Sequence, residues 1–366
     1  MKRVYSGIGG QAVIEGIMMK NKQDYAVAVR KTDGEIVVDT HKYVSMQEKH
    51  KFMSLPFIRG IFSFVDSMVM GIKTLTMSAS YFDEEEITKE EANKVMAVSV
   101  VIAIIAAVGL FMLLPMFLSN LLKKFIQSEI VIALLEGVIR IAIFIAYIKA
   151  ISLMEDIKRT FMYHGAEHKC INCVELGNEL TVENVMKASK EHKRCGTSFI
   201  IIVMIISILF FMVIRIDNLA LRALSRILLV PVIAGVSYEF LRLAGRSENP
   251  IVNILSRPGM WMQALTTTEP TEDMAEVAIK ATEAVFDWRA FLKENFDKDI
   301  PYPVEETAEA DATETTATAE ADATETIATA EVGEAETSAT AETEIPAGNT
   351  AVEKTEEPAA NKEIES

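Results

Sequence analysis

The sequence predicts a mainly α-helical, polytopic membrane fold of about four spans, with a small mixed α+β cytoplasmic region and a disordered acidic tail. Three observations lead there. First, Val95–Leu118 and Ser198–Ile214 contain no charged residue over 24 and 17 positions. At a rise of about 1.5 Å per residue, roughly 20 apolar residues cross a bilayer. Second, half of the 366 residues are hydrophobic, and mean hydropathy is +0.23 even with a very polar tail included. Third, charge is segregated. Val304–Ser366 holds 18 of the 52 acids and 2 of the 36 bases, which leaves 34 of each elsewhere. The net charge of −16 therefore belongs to the tail. A neutral body without a basic excess gives no support to nucleic-acid binding.

Residues 1–54 read as a glycine-rich segment and a β-hairpin. Tyr25–Lys31 and Glu35–Asp39 are rich in Val and Ile, and Asp33-Gly34 between them supplies a turn. Gly7–Gly16 lacks the spacing of a dinucleotide fingerprint and reads as tight turns near Glu15, with an anion or metal contact as the alternative. The N-terminal stretch has no long apolar core and does not read as a secretory signal.

Residues 55–94 follow as an interfacial segment and an acidic linker. Leu55–Ala79 is apolar but broken by Arg59, Asp66 and Lys73, so it reads as an amphipathic helix at the membrane interface, or else as a buried soluble helix. Residues 95–154 form the first helical pair, with Ile130–Met154 as its second span. There Glu136 and Arg140, four apart, share a face and can neutralise each other. Residues 198–243 form the second pair, with Leu219–Leu243 as the fourth span. Four spans place both termini and the 155–197 loop on one side. The seven Lys and Arg of that loop favour the cytoplasm.

Residues 244–303 contain Thr271–Lys293, whose capping Thr271 and helical spacing of Met274, Val277, Ala278, Ala281 and Val285 predict a docked amphipathic helix. In residues 304–366 an 11-residue unit repeats, AEADATETTAT and then AEADATETIAT. High charge and scarce aromatics leave such a segment too little apolar surface to fold.

The reactive side chains crowd into the 155–197 loop. Three of five histidines and all three cysteines lie between His164 and Cys195. An odd, clustered set of cysteines suits thiols or metal ligands in a reducing compartment better than disulfides. His164-Gly165-Ala166-Glu167-His168 is the inverted zincin pattern. On a helix both imidazoles reach one ion, and Glu167 serves as general base for a metal-bound water. His192, Cys195, Glu175 and Glu239 are the choices for a further ligand. A carboxylate such as Glu239 inside a span is a functional candidate by default, with Arg242 as its bland partner. A rival grouping, Cys170-x-x-Cys173 with His192-x-x-Cys195, has the spacing of a closed structural zinc knuckle. Ordinary packing roles are the third alternative.

Four stretches carry a resemblance: Gly9–Gly16, Phe161–Lys169, His192–Phe199, and Leu265-Thr266-Thr267 with Glu269-Pro270. Together they resemble the YqhQ-like family of bacterial membrane proteins over about residues 1–295. The family is of unknown function and is described as predicted metal-dependent enzymes. The resemblance implies a bacterial multi-pass membrane protein with a metal site. The family pattern matches at His164, Glu167, His168, Cys173, His192, Cys195 and Glu239. The position of Cys170 is usually threonine there, which removes one member of the knuckle. That shifts the reading to His164 and His168, with one or more of His192, Cys195 and Glu239 as metal ligands.

The leading functional reading is a zinc-dependent hydrolase at the cytoplasmic membrane face, with Glu167 as the catalytic base. The alternative is a non-enzymatic scaffold or biogenesis factor held by a structural metal clip. Transport along Glu136, Arg140 and Glu239 is a third reading, for which four spans are few without a homo-oligomer. The lipid bilayer is the expected partner.

Overall fold

The computed structural model of the chain describes residues 3–82, 89–192, 195–214, 216, 218–246 and 249–302. The acidic tail read at 304–366 lies outside the described residues, as does most of the acidic linker before residue 89.

The chain begins with a four-stranded antiparallel meander: β1 (Gly9–Val13), β2 (Gly16–Asn21), β3 (Asp24–Arg30) and β4 (Ile36–Lys42), paired in that order. The hairpin expected at 25–39 is β3–β4, turned at Gly34 with φ of 89°. The glycine-rich run is not only turns. Most of it forms β1 and the start of β2, joined by the two-residue turn Ile14-Glu15. Glu15 itself takes a left-handed φ of 47°. Its carboxylate receives both Nε and Nη2 of Arg159 at 2.5 Å, which anchors the turn. The central strands are buried on both faces. Ile17, Met19 and Ala28 face one core, and Met18, Tyr25, Val27 and Val29 face another. That explains the unbroken apolar run in β3.

A short helix α1 (Met46–Lys49) leads to α2 (Ile58–Ala79), which covers one face of the sheet through Met70. α2 buries Gly60, Asp66, Gly71, Thr74 and Ser78, while Phe64, Val65, Met68, Val69 and Leu75 point outward. A helix in water shows the reverse pattern.

Four helices are long and apolar enough to cross a membrane: 94–122, 129–151, 196–213 and 219–244. The first comprises α3 (Lys89–Val108), a π-helical turn at Gly109–Leu113, and α4 (Leu114–Leu122). The others are α5 (Glu129–Ile151), α8 (Gly196–Val213) and α9 (Leu219–Arg246). Phe144 and Ile148 of α5 pack with Ile201, Ile202 and Met204 of α8. Glu136 and Arg140 do pair, at 2.9 Å, and Arg226 of α9 joins them on the same carboxylate.

Between α5 and α8 the region expected as a loop is mostly helix: α6 (Glu155–Glu175) and α7 (Val182–Lys187). α6 is buried from Gly165 to Glu175, between the sheet and the helices that follow α9. The sequence does not announce α10 (Pro250–Thr266), because Pro250 and Pro258 punctuate it. Pro250 occupies the tolerated first turn, and Asn249 caps it by accepting from the Ile251 N–H at 2.9 Å. The single helix expected at 271–293 is two, α11 (Glu272–Glu283) and α12 (Trp288–Phe296). Asp287 ends the break by accepting from the Ala290 N–H at 3.0 Å, which starts α12.

Candidate metal centre

The one-turn spacing of His164 and His168 on α6 puts their rings edge to face, with centroids 4.4 Å apart. Cys195, the N-cap residue of α8, completes the group. Ligand atoms of His164, His168 and Cys195 all lie within 4.8 Å of one another. The Cys195 sulfur is 3.2 Å from Nε2 of His164.

The donor set suits zinc. His164 Nδ1 lies 3.0 Å from the Thr266 carbonyl, and His168 Nδ1 lies 2.7 Å from the Lys190 carbonyl. A carbonyl can only accept, so each Nδ1 carries the proton and each Nε2 keeps its lone pair for a metal. Cys195 caps the N-terminus of α8 with its sulfur facing the first turn. The Thr197 N–H points at it from 3.4 Å. Two nitrogens and a sulfur make a three-ligand set of the kind that suits an open zinc site.

Two backbone segments deliver those carbonyls. The 188–192 strand is held by α6 itself: Lys169 donates to Met186 and Ala188 carbonyls, and Asn172 donates to Ser189 and Glu191 carbonyls. Gln263 of α10 fastens the same strand by exchanging hydrogen bonds with the backbone of His192. The 266–269 segment crosses α6 at Gly165. A Cβ there would lie 2.1 Å from the Thr268 carbonyl oxygen, so only glycine admits the crossing. The glycine that weakens the helix in the sequence brings Thr266 onto His164.

His164 and Glu167 line a cleft of about 930 Å³ whose other walls come from β1, α2 and the start of α8. Lys20, Lys22 and Asp66 contribute polar wall, and Met70, Ile200 and Leu241 contribute apolar wall. Glu167 is 5% exposed, and its Oε2 has no hydrogen-bond partner. Burial pushes its pKa up to about 7, against the opposing pull of His164 and the Gly10 amide. A Cβ on Gly10 would lie 3.0 Å from the Glu167 carboxyl carbon, so β1 passes directly over this acid.

Three of the expected ligands come together, and two do not. His192 stacks loosely on His168, with centroids 5.7 Å apart, but its Nε2 faces Glu175 Oε2 at 3.4 Å. Glu175 in turn accepts from the backbone and hydroxyl of Ser6, tying the N-terminal segment to α6. Glu239 is held by Arg59 of α2 at 2.5 and 2.6 Å, rather than by the histidines or Arg242. The four-ligand knuckle does not form. Cys170 turns to Thr282 at 3.2 Å, and Cys173 to the Glu179 carbonyl at 3.3 Å. Burial raises both thiols, Cys173 to about 12. The residues that sequence reasoning misses are the positioning ones, Lys169, Asn172 and Gln263. Of these only Gln263 carries a sequence signal, a polar side chain inside the apolar stretch Met260–Leu265.

Fold and site define a class: a mainly helical chain with four membrane-length apolar helices, a small antiparallel sheet, and a His/His/Cys group able to hold a metal. The family model described as "Protein of unknown function (DUF1385)" matches residues 55–288. The "Uncharacterized protein YqhQ" of Bacillus subtilis (strain 168) is 33% identical over 312 residues, which covers 80% of this chain and 96% of that relative. The chain belongs to this YqhQ-like DUF1385 family. No solved structure matches it.

Proposed function

We propose that the chain is a zinc-dependent hydrolase working at a membrane surface. One observation carries the reading. Two histidines with fixed tautomers and a cysteine lie within ligand reach of one another, beside a buried carboxylate with an unpartnered oxygen, on the wall of a large cleft. His164, His168 and Cys195 would hold the metal. Zinc there would supply Lewis acidity, lowering the pKa of a water to about 7 and polarising the substrate's carbonyl or phosphoryl oxygen. Glu167 takes the proton at Oε2 and returns it to the leaving group, a task that suits a carboxyl whose pKa lies near 7. Thr266 and Lys190 hold the imidazoles, and β1 limits the water that reaches Glu167.

The four long apolar helices and the outward apolar face of α2 support a bilayer seat for the chain. The basic residues of 155–197 support a cytoplasmic position for the centre and both termini, in the cell membrane of a bacterium.

The test is metal content and hydrolysis by detergent-purified protein. Wild type should carry about one zinc per chain. Glu167→Gln should keep the metal and lose about a hundredfold or more in turnover on a panel of ester, amide and phosphodiester substrates. Undiminished turnover in Glu167→Gln would remove it as the base. Folded wild type with no zinc affinity would remove the metal.

A second reading, a structural clip in a non-enzymatic scaffold, is favoured by the burial of His168 and Cys195, at 2% and 4% exposure. It expects His164→Ala and His168→Ala to lower folded yield while Glu167→Gln changes little.

A further inference from the structure

The end of the helical bundle farthest from the metal centre holds a charge imbalance. Phe211 lies 16 residues along α8 from Cys195, roughly 24 Å at helical rise. Around it gather Arg140 of α5 and Arg222 and Arg226 of α9, at 6%, 7% and 4% exposure, with one buried carboxylate, Glu136, at 2%. Arg140 and Arg226 both lie over the Phe211 ring, at 5.2 and 4.7 Å.

Both oxygens of Glu136 are held by guanidinium groups. Its Oε1 accepts from Arg140 and Arg226, and its Oε2 accepts from Arg226 at 2.7 Å and Ser119 at 3.2 Å. A carboxylate offers about four acceptor sites, and guanidinium N–H groups take three, while the Ser119 hydroxyl shares its one hydrogen with the Met116 carbonyl at 2.9 Å. Arg222 therefore has no anionic partner among the described residues. Its Nη2 donates to Asn120 at 3.2 Å, and its buried Nε has no hydrogen-bond partner. Glu129, the other acid nearby among the described residues, is ion-paired with Lys123 at 2.8 Å. Among the described residues, three guanidinium groups against one carboxylate leave two surplus positive charges in an apolar bundle, a costly arrangement unless an anion offsets it.

A small cavity of about 20 Å³ opens beside this surplus. Glu129, Glu136, Arg222 and Arg226 line it on the polar side, and Phe211, Ile132 and Ile214 on the apolar side. That volume holds one or two water-sized particles. A monatomic anion fits, whereas a tetrahedral oxyanion is several times too large. Both carboxylates of the polar wall are already paired, Glu129 with Lys123 and Glu136 with Arg140 and Arg226, so the unpartnered Arg222 Nε opposite apolar groups suits a weakly hydrated halide. We propose that this cavity is a chloride site, and that the anion neutralises Arg222 and locks α9 against α4 and α5.

The test uses the full chain, purified in uncharged detergent and exchanged into sodium gluconate at constant ionic strength. Equilibrium dialysis with radiolabelled chloride should show saturable uptake of about one chloride per chain, and added chloride or bromide should raise the unfolding temperature over the same range. Arg222→Gln should weaken that uptake about tenfold or more, the scale of one lost charge-assisted hydrogen bond. Ala133→Leu, which fills the cavity and keeps every arginine, should also weaken it. No uptake by folded wild type overturns the proposal, whether or not the variants fold. So does uptake unchanged in both variants. A response to inorganic phosphate or to phosphatidylglycerol vesicles without one to chloride overturns the halide assignment.

Discussion

Arg140 donates its Nε to the carbonyl of Phe111, 2.9 Å away, and Phe111 is the residue that Pro115 deprives of a helical donor. Proline at position i has no N–H for the carbonyl at i−4. The π-helical turn at Gly109–Leu113 widens the helix at this place, and a guanidinium from α5 takes the orphaned oxygen. The same guanidinium also reaches Ser207 and Glu136, each at 2.9 Å.

Arg140 thus joins α4's entry, α5 and α8 through one planar group. Arg140→Met should lower stability by about 1–3 kcal/mol, because it leaves the Phe111 carbonyl and one Glu136 acceptor site short of donors while Arg226 still pairs the carboxylate. Arg140→Lys should recover little of this, since a compact ammonium cannot span three acceptors. Thermal unfolding in detergent checks both. A loss near zero in Arg140→Met would show that the three contacts carry no weight.

Gly165→Ala tests the crossing of α6 by the 266–269 segment. With 2.1 Å between the new methyl and the Thr268 oxygen, the segment must move and carry Thr266 off His164. The expected cost is about 1–3 kcal/mol in stability, with about tenfold weaker zinc binding from loss of the outer hydrogen bond. Zinc titration by competition with a chelating dye reads the second effect separately from the first.

Glu239→Gln should leave zinc stoichiometry unchanged, because its carboxylate is held by Arg59. It should weaken the packing of α2 on α9 by about 1 kcal/mol or less, the pair being about one-fifth exposed. Metal analysis by mass spectrometry decides this, and loss of zinc in Glu239→Gln would return the residue to the ligand set.

Cys173 should resist alkylation in the folded protein. Burial raises its pKa to about 12, with Lys298 as the opposing charge, so the reactive thiolate is scarce at pH 8 and becomes common only as pH nears 12. Iodoacetamide labelling followed by peptide mass spectrometry should show the residue modified at ordinary rates only after unfolding. Rapid labelling of native protein at pH 8 would contradict the burial.

The first and third long helices were legible because a helix in water needs a charged face, and their uncharged runs leave none. The second and fourth were legible from apolar length with only a few, pairable charges. α10 was not, since Pro250 and Pro258 imitate a loop. β1 and β2 hid behind glycines that serve close approach, as at Gly10. The His164–His168 pair was legible from its spacing, and Cys195 from its neighbourhood. What holds them was not: the carbonyls of Lys190 and Thr266 are backbone atoms that any residue has. Glu239 found Arg59, 180 positions away, in place of the nearer Arg242, because α2 folds back along α9. Glu136 gave half of its setting, the i+4 arginine. The guanidinium from α9 needed the tertiary structure.

The centre draws on parts of the chain made at very different times. His164 and His168 emerge early, Cys195 only with α8, and the Thr266 carbonyl that orients His164 only after α10 has been synthesised. A nascent chain with two or three helices in place therefore has the imidazoles but lacks the thiol, the fixed tautomer, or both. On the proposed metal-binding reading, loading would act as a checkpoint on biogenesis. An ion would then be held firmly only by a polypeptide whose last apolar helix is already seated, and truncated or misinserted copies would remain empty and distinguishable from finished ones.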